Sequence, residues 1–575
     1  MTPTPTASSA ALWRAHVPIV LERLWLLLTN PWLQRTILAA VIVWVFWDSI
    51  FAGVPRSDHL VYLHHISQFD SLWDILSHSP SWNRTLPDTG GDAILYRPVL
   101  YLLMGSFYYL FRYNFVAWQI AGLCLHILVA LGLHLLLIQG RLRQTLFPLL
   151  IALLFAIAYL ASELVLWTNV VGYVLFCALD VCAVYFFLRY LQSDRSVFLI
   201  ICGALSLVAE FTYEVGAIVN LLFAAALLAR SFTASVANDP RTRSYRRTDR
   251  HSALLFLLAA LLLPTVSLID LHARGFEFAP RLGGADPWPV ILAGGEAVFQ
   301  QIGFWLSAWL APTVYRVSPA PRAVGLVSAA GLTGLTLLNL VALALLVAVG
   351  VLGLRRLRHS TVSKREPEFA LALCMLFLFG YSMMIAIGRT AGRGLVYVHS
   401  SIYTGYIANL TVCVAISLAA AVGRTHAAAM AIDGRPDPHA NLGAGPIQTA
   451  RLSSVGAALA AALAMLAIAN ALGVRAIARQ FRYDYAASRQ EVVDHVLAWR
   501  RQVGDRTQRY FVVSPTCRGN ETFEWFTERF VRRDSGWRPP VTLADALWPD
   551  RSANLNAARI RIPPESVDEI RCDRP

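Results

Sequence analysis

The stretch FVAWQIAGLCLHILVALGLHLLLI, residues 115–138, runs for 24 residues without a charged side chain. A helix that crosses the hydrocarbon core of a bilayer needs about 20 mostly apolar residues. The stretch therefore predicts a transmembrane helix. Similar stretches recur along the chain, which indicates an all-α polytopic membrane protein with about 11 transmembrane helices.

The composition of the 575-residue chain agrees with this prediction. Hydrophobic residues make up 56% and charged residues 15%, against about 45–50% and about 25% in soluble proteins. These proportions exclude a soluble multidomain protein, a disordered chain and a disulfide scaffold. The formal net charge of +13 is explained better by basic cytoplasmic loops than by a nucleic-acid partner.

Eleven segments are predicted to cross the membrane. They are 33–52, 115–138, 146–162, 169–190, 197–210, 214–230, 252–271, 323–353, 369–387, 400–422 and 452–473. Two further apolar stretches, 95–112 and 289–311, are interrupted by polar residues. We expect these two to lie along the membrane surface or to pack within the protein.

The distribution of arginine sets the orientation. Basic residues concentrate in alternate loops, above all in 241–250, and such loops are typically cytoplasmic. This puts the N-terminal segment 1–32 in the cytoplasm and gives a membrane domain at 33–473, whose first extracytoplasmic loop is 53–114. The tail 474–575 is then a small α+β extracytoplasmic domain. We expect a multi-pass protein of a bacterial inner membrane, with a periplasmic C-terminus.

The cysteines carry little chemistry. Six of the eight lie in apolar segments, and Cys517 and Cys572 lie in the polar tail. An oxidising compartment favours a disulfide between these two. Because 55 residues separate them, two free thiols are an equal alternative.

Two motifs in the first loop are candidates for a site. Asp58 follows the first helix beside His59, where a carboxylate can act as a general base; the alternative is a solvated charge or a helix N-cap. Tyr96 and Arg97 precede Pro98, which suits the first turn of a helix. Arg97 can then meet a phosphate through two hydrogen bonds. Alternatively, Tyr96 and Arg97 anchor the interface.

Three acids at helix ends are further candidates for substrate binding. Glu163 lies in a polar hairpin tip at 162–169, and Glu210 and Glu214 flank a second tip. Glu210 and Glu214 share one helix face if that stretch is helical. Such acids are costly in an apolar environment unless they are paired or line a wet cavity. All three are predicted to face the same side of the membrane as Asp58.

A glycine-rich turn at 388–394, GRTAGRG, carries the last candidates. Arg389 and Arg393 lie in this turn, and Tyr397 and His399 follow it. The arginines suit an anionic headgroup, and the alternative is a loop that meets lipid phosphates without specificity. The scattered carboxylates do not specify a metal site. The sequence does not decide whether a divalent metal takes part in the reaction, and no cofactor is predicted.

The layout resembles the GT-C superfamily of polyprenyl-phosphate-sugar-dependent membrane glycosyltransferases, and in particular the protein O-mannosyltransferase-like branch and its bacterial relatives. The resemblance covers about residues 33–230. It rests on Asp58, on Tyr96-Arg97-Pro98-Val99, on Glu163 before Val165 and Trp167, and on Tyr213-Glu214. The chain departs from the family in having His59 after Asp58, Tyr213 in place of a lysine, and no TPR array.

The resemblance implies an enzyme that transfers a sugar from a polyprenyl-phosphate donor to an extracytoplasmic glycan, lipid or protein. Asp58 would deprotonate the acceptor hydroxyl, and Arg97, or Arg389 with Arg393, would stabilise the leaving phosphate. Two alternatives remain from the residues themselves. One is a transporter or flippase of a lipid-linked glycan, and the other is a non-catalytic component of envelope assembly.

Reporter fusions test the predicted orientation. A reporter that is active only in the periplasm should work when it is fused after Pro575 and should stay inactive when it is inserted within 241–250. An active reporter in the arginine-rich loop would overturn the orientation and, with it, the side on which the candidate residues lie.

Overall fold

The computed structural model of this chain describes the following residues: 27–51, 66, 69–78, 97–111, 114–139, 145–236, 240–273, 301, 366–385, 405–417, 454–486, 510–513 and 567–570. Within these ranges the protein is mostly helical. The predicted segment 323–353, nearly all of 289–311 and both tail cysteines lie outside the described residues.

The helices follow the apolar segments of the sequence. They are α1 Pro31–Ile50, α2 Leu72–His78, α3 Pro98–Phe111, α4 Phe115–Leu137, α5 Phe147–Ala156, α6 Tyr159–Leu166, α7 Val171–Ser193, α8 Ser196–Thr212, α9 Gly216–Val236, α10 Pro240–Ala273, α11 Glu366–Ile385, α12 Gly405–Ser417 and α13 Ser454–Gln480. Asn30 and Asn114 cap α1 and α4 by accepting hydrogen bonds from Trp32 N and Ala117 N. Side-chain capping of this kind satisfies N–H groups that have no partner within the helix.

Several of these helices are long and apolar enough to cross a membrane. Five qualify singly, and α5 with α6 forms a sixth candidate if the bent pair is one span. Helices α3, α8, α9, α11 and α12 contain apolar segments that are shorter, at 10–17 residues. The apolar helices indicate a membrane protein.

Helices α1 and α4 pack antiparallel. His134 Nε2 lies 2.8 Å from Gln34 Oε1 near one end of the pair, and the rings of Phe46 and His126 lie 5.8 Å apart further along. The Gln34 amide also donates to the carbonyl of Thr145 at 3.0 Å. This contact ties the start of α1 to the start of α5.

Helices α1 and α13 pack parallel, although they are far apart in sequence. Trp44 lies under the guanidinium of Arg475 at 4.2 Å. One turn further along both helices, Asp48 meets Arg479 at 3.5 Å and Arg482 at 3.2 Å. The first and last helices that the structure describes therefore point in the same direction.

The pair α5–α6 is bent by 54°. A bend frees backbone carbonyls, and in an apolar bundle these need other partners. Nε2 of His126 lies 2.8 Å from the carbonyl oxygen of Ala156, and the Asn409 amide donates to that of Phe155 at 3.5 Å. Nδ1 of His126 is 2.8 Å from the Tyr406 hydroxyl, so the ring donates to Ala156 and accepts from Tyr406.

The bent pair continues in one direction along α4. Beyond the bend, Gln119 near the start of α4 donates to the carbonyl of Val165 near the end of α6. His126 meets Ala156 half-way along. A re-entrant loop would turn back after the bend. The contacts with α4 instead run in the same antiparallel direction on both sides of the bend. Helices α5 and α6 are therefore two halves of one bent segment.

The helices of the first loop form a second, smaller core at one end of the bundle. Its members are Ile66, Ile75, Leu100, Tyr101, Met104, Tyr108, Phe115, Trp118 and Val171. Helices α2 and α3 pack through it against the first residues of α4 and α7. The predicted surface or packed helix at 95–112 is thus a packed helix, and it places residue 97 at this end of the bundle.

The tail contributes two short strands among the described residues. Tyr510–Val513 (β1) and Val567–Ile570 (β2) pair in parallel. Phe481–Ala486 continues α13 as a short π-helix. The predicted α+β domain at 474–575 extends well beyond these elements.

A close turn joins α8 to α9. A Cβ atom on Gly216 would lie 2.4 Å from Cα and 2.6 Å from N of Glu210. Both atoms belong to the backbone, so no side chain can move aside. Glycine is therefore required for α9 to start this close to the end of α8.

Substitution of Gly216 by alanine should destabilise the protein by about 1–3 kcal/mol, the usual range for forcing an extra carbon into a packed site. Gly122→Ala is the matched control, since a Cβ there meets nothing within 4 Å. Thermal unfolding of the two variants in detergent measures the difference. Equal unfolding temperatures would contradict the close approach.

Candidate functional site

An ion pair links the first loop to the α8–α9 turn. Arg97 immediately precedes α3, which begins at Pro98 as the sequence predicts. The guanidinium Nε donates to Oε2 of Glu214 at 2.8 Å, and Nη2 donates to Oε1 at 2.7 Å. This two-bond geometry orients the guanidinium plane as well as neutralising its charge.

Two tyrosines lie beside this ion pair. The Arg97 guanidinium lies 4.6 Å from the ring centre of Tyr213 and 5.9 Å from that of Tyr173. The two ring centres are 4.5 Å apart, so both rings lie on the same side of the guanidinium. Aromatic rings attract a cation through their negative faces. Tyr173 stands in the first turn of α7, so three separate parts of the chain meet here.

The electrostatics of the pair favour a permanently charged guanidinium. Burial, the largest single effect, disfavours the charge, but Glu214 together with Tyr173 and Tyr213 outweighs it, so the pKa of Arg97 lies well above its ordinary value. The Arg97 side chain is 5% exposed and that of Glu214 is 33% exposed. The carboxylate therefore faces the open side of the site.

One edge of the guanidinium has no hydrogen-bond partner among the described residues. Nε and Nη2 are engaged by Glu214, whereas Nη1 donates no hydrogen bond to the part of the chain that the structure describes. An anionic oxygen that approaches Nη1 would meet two N–H groups already held in a fixed plane. The sequence predicts Arg97 as a phosphate ligand, and Nη1 is the donor group that Glu214 does not engage.

Glu210 lies apart from Glu214. Helix α8 ends at Thr212, and the extended backbone of Tyr213 (φ −154°, ψ 129°) separates the two acids. The condition for a shared helix face is therefore not met. Glu210 is fully buried, accepts a hydrogen bond from Asn220 at 2.6 Å, and is 3.4 Å from the backbone N of Leu263. These contacts join α8, α9 and α10.

Glu163 lies in a helix and not in a polar hairpin tip. It belongs to α6, all of whose residues are buried, and its own side chain is 8% exposed. The expectation of a tip at 162–169 is wrong because α6 continues the bent segment up to Leu166, and a short 3₁₀ turn then leads into α7. Glu163 reaches the end of the bundle near Gln119, since Gln119 bonds to Val165.

The other predicted site residues lie outside the described residues. These are Asp58, His59, Tyr96, Arg389, Arg393, Tyr397 and His399. The structure accordingly brings together Arg97 and Glu214 from the predicted set. The structure adds Tyr173 and Tyr213 to this set. Of the two, only Tyr213 is indicated by the sequence, because it directly precedes Glu214.

A second polar cluster lies at the other end of α7. Arg230 pairs with Asp194 and lies 3.8 Å from Asp249, and the hydroxyl of Tyr190 donates to Asp249. Asp194 ends α7 in the left-handed conformation with φ 55°. At about 1.5 Å per residue, Tyr190 lies roughly 26 Å along the helix from Tyr173. That separation is close to the thickness of a bilayer core.

Asp180 lies in the middle of α7, where its Oδ1 is buried and has no hydrogen-bond partner in the described part of the chain. The described residues also contain no group of three or more His, Cys, Asp or Glu side chains arranged to hold a metal ion.

Comparison with known proteins adds no relative. No protein family, curated protein or solved structure matches this chain. A function is therefore inferred from the residues and their geometry.

The Arg97–Glu214 pair predicts strong coupling between the two side chains. Removal of one partner leaves a buried charge uncompensated, so Glu214→Gln should cost about 3 kcal/mol. Arg97→Met should cost less, because Glu214 is partly exposed. The double variant should be more stable than the sum of the two losses predicts. Thermal or denaturant unfolding of all four proteins measures the coupling.

Arg189→Met is the control for this cycle. Arg189 stacks on Phe198 at 5.6 Å, and we expect a change within about 0.5 kcal/mol, as at other surface positions. Strict additivity of the Arg97 and Glu214 substitutions would show that the two groups do not act as a pair.

Proposed function

We propose that this protein is a membrane glycosyltransferase of the GT-C type. It takes a sugar from a polyprenyl-phosphate donor and transfers it to an extracytoplasmic glycan, lipid or protein. The observation that carries the proposal is the Arg97 guanidinium, which Glu214 holds in plane at 2.7–2.8 Å while Nη1 donates no hydrogen bond to a described residue. A fixed cation at the end of an apolar bundle suits a phosphate on a lipid tail.

The reaction assigns one role to each group. Asp58 accepts the proton of the acceptor hydroxyl, and the acceptor oxygen attacks the anomeric carbon. The bond from that carbon to the phosphate oxygen breaks, and the electron pair leaves with the lipid phosphate. Arg97 donates hydrogen bonds to the phosphate as its negative charge grows. Glu214 keeps the guanidinium oriented, and the tyrosine rings exclude water.

The remaining predicted residues have supporting roles in this proposal. Glu163 and Glu210 position the walls of the site, Glu210 through its bond to Asn220. His59 and Tyr96 extend the site in the first loop. Arg389, Arg393, Tyr397 and His399 form a second contact for the lipid phosphate. No cofactor is required, and a divalent metal stays open.

The proposed topology has eleven crossings, a cytoplasmic N-terminus, a periplasmic C-terminus and a small α+β tail domain. The parallel packing of α1 and α13 supports it. If the first and last crossings point the same way, the number of crossings is odd and the two termini lie on opposite sides. A bacterial inner membrane fits this arrangement.

A transporter or flippase of a lipid-linked glycan is the second candidate. The bent segment α5–α6 favours it, because interrupted helices near the midplane are common in transporters. The polar groups at the bend, however, bond to one another: His126 to Ala156 and Tyr406, and Asn409 to Phe155. Polar groups that satisfy each other leave little to attract a substrate. We therefore prefer the enzyme, and the assembly component has no feature in its favour.

Asp58→Asn tests the enzyme directly. The amide keeps the shape of the carboxylate and removes its basicity, so transfer should fall by about 10²–10⁴-fold while donor binding persists. Arg97→Gln should differ, because the phosphate contact exists before the reaction, and donor affinity should also drop. Purified protein and a short-chain polyprenyl-phosphate sugar provide the assay.

Asp92 supplies the matched control, since it lies in the same loop, four residues before Tyr96. Asp92→Asn should retain turnover. Near-wild-type transfer by Asp58→Asn would remove Asp58 from the mechanism. Movement of the lipid-linked sugar across the membrane of sealed proteoliposomes, without transfer of the sugar to an acceptor, would identify the protein as a transporter.

A further inference from the structure

Three arginines near the C-terminal end of α13 form a ladder against α1. Arg475, Arg479 and Arg482 follow the spacing i, i+4, i+7, and Trp44, Asp48 and Phe51 on α1 follow the same spacing. We call the three arginines the arginine ladder. Residues with this spacing share one helix face, and the parallel packing of α1 and α13 sets the two rows against each other.

Each arginine of the ladder has a defined contact. Arg475 stacks over Trp44 at 4.2 Å, and Arg479 Nε lies 3.5 Å from Asp48 Oδ2. Arg482 Nη1 donates to Asp48 Oδ1 at 3.2 Å, and its guanidinium lies 5.1 Å from the ring centre of Phe51. One carboxylate is thus shared by two guanidinium groups, and among the described residues the third guanidinium, that of Arg475, contacts an aromatic ring.

The charge of the ladder exceeds that of the carboxylate it contacts. The ladder carries three positive charges, and Asp48, which Arg479 and Arg482 share, carries one negative charge.

The exposure of the ladder suits a lipid. The side chain of Arg479 is 61% exposed, whereas that of Asp48 is 9% exposed. Trp44, Trp47 and Phe51 are large apolar side chains that are each close to half exposed beside it. Exposed aromatic rings are typical of the level of the headgroups in a bilayer. A ligand that joins an anionic group to hydrocarbon fits both features.

The position of the ladder is unusual for arginine. In the orientation proposed above, the C-terminal ends of α1 and α13 lie on the non-cytoplasmic side, where loops are poor in basic residues. The topology does not account for three arginines at that end. We propose that the arginine ladder binds the phosphate of an anionic membrane lipid, with Arg475 and Arg479 as the donors and Asp48 fixing the direction of Arg479. This site lies on different helices from the Arg97–Glu214 pair and does not depend on sugar transfer.

Lipid-dependent thermal unfolding of the purified full-length protein tests the proposal. Dioctanoyl phosphatidylglycerol should raise the unfolding temperature of the wild type in a saturable manner, more strongly than dioctanoyl phosphatidylcholine or inorganic phosphate. In Arg475→Gln/Arg479→Gln the apparent Kd for phosphatidylglycerol should rise at least about tenfold, since each charged hydrogen bond contributes about that factor. Arg482 still pairs with Asp48 in this variant.

Two further variants keep the test decisive. Arg189→Gln removes another arginine that stacks on an aromatic ring, and it should leave the Kd within about twofold, as expected for a site without a lipid. Arg475→Gln alone leaves both ion pairs of Asp48 intact and should still weaken binding. An unchanged Kd in the ladder variants, an equal loss in Arg189→Gln, or equal stabilisation by phosphatidylcholine or inorganic phosphate would overturn the proposal.

Discussion

The satisfaction of backbone groups inside an apolar bundle is the constraint on which the described structure depends. Water is absent from such an interior, so a break in a helix is tolerated only where other side chains bond to the freed carbonyls. His126 and Asn409 supply these bonds at the bend between α5 and α6. The bend turns the end of this segment towards α7, and the packing of α7 places Tyr173 beside Arg97.

The Arg97–Glu214 pair shows how several weak constraints give one rigid site. Pro98 fixes the start of α3, and Gly216 lets α9 begin directly after α8. Glu210, although predicted to bind substrate, anchors this turn through Asn220. A guanidinium that is held by a bidentate carboxylate and two rings loses little conformational freedom when a phosphate binds. Pre-organisation of this kind improves affinity and orientation together.

Among the described residues, the apolar segments of the sequence predict the helices well, whereas the candidate site is predicted only in part. Long apolar segments such as 115–138 have one stable solution in a bilayer, so their ends are close to those of α4. The acids at 163, 210 and 214 look alike in the sequence, but burial and hydrogen bonds differ among them. Only tertiary packing decides that Glu214 meets Arg97 and that Glu210 meets Asn220. Residues 475, 479 and 482 have a helical spacing, but their partner Asp48 is 434 residues from Arg482, so the sequence does not indicate the contact.

The parallel packing of α1 and α13 has a consequence for how the protein is made. Asp48 enters the membrane near the beginning of synthesis, and Arg482 is translated 434 residues later. At a translation rate of roughly 5–20 residues per second, roughly 20–90 seconds pass between the synthesis of Asp48 and that of its partners. During that time α1 carries an unpaired acid close to the apolar interior, where it is costly. Arrival of α13 therefore completes this contact, and a chain that stops before α13 leaves Asp48 of α1 without these arginines.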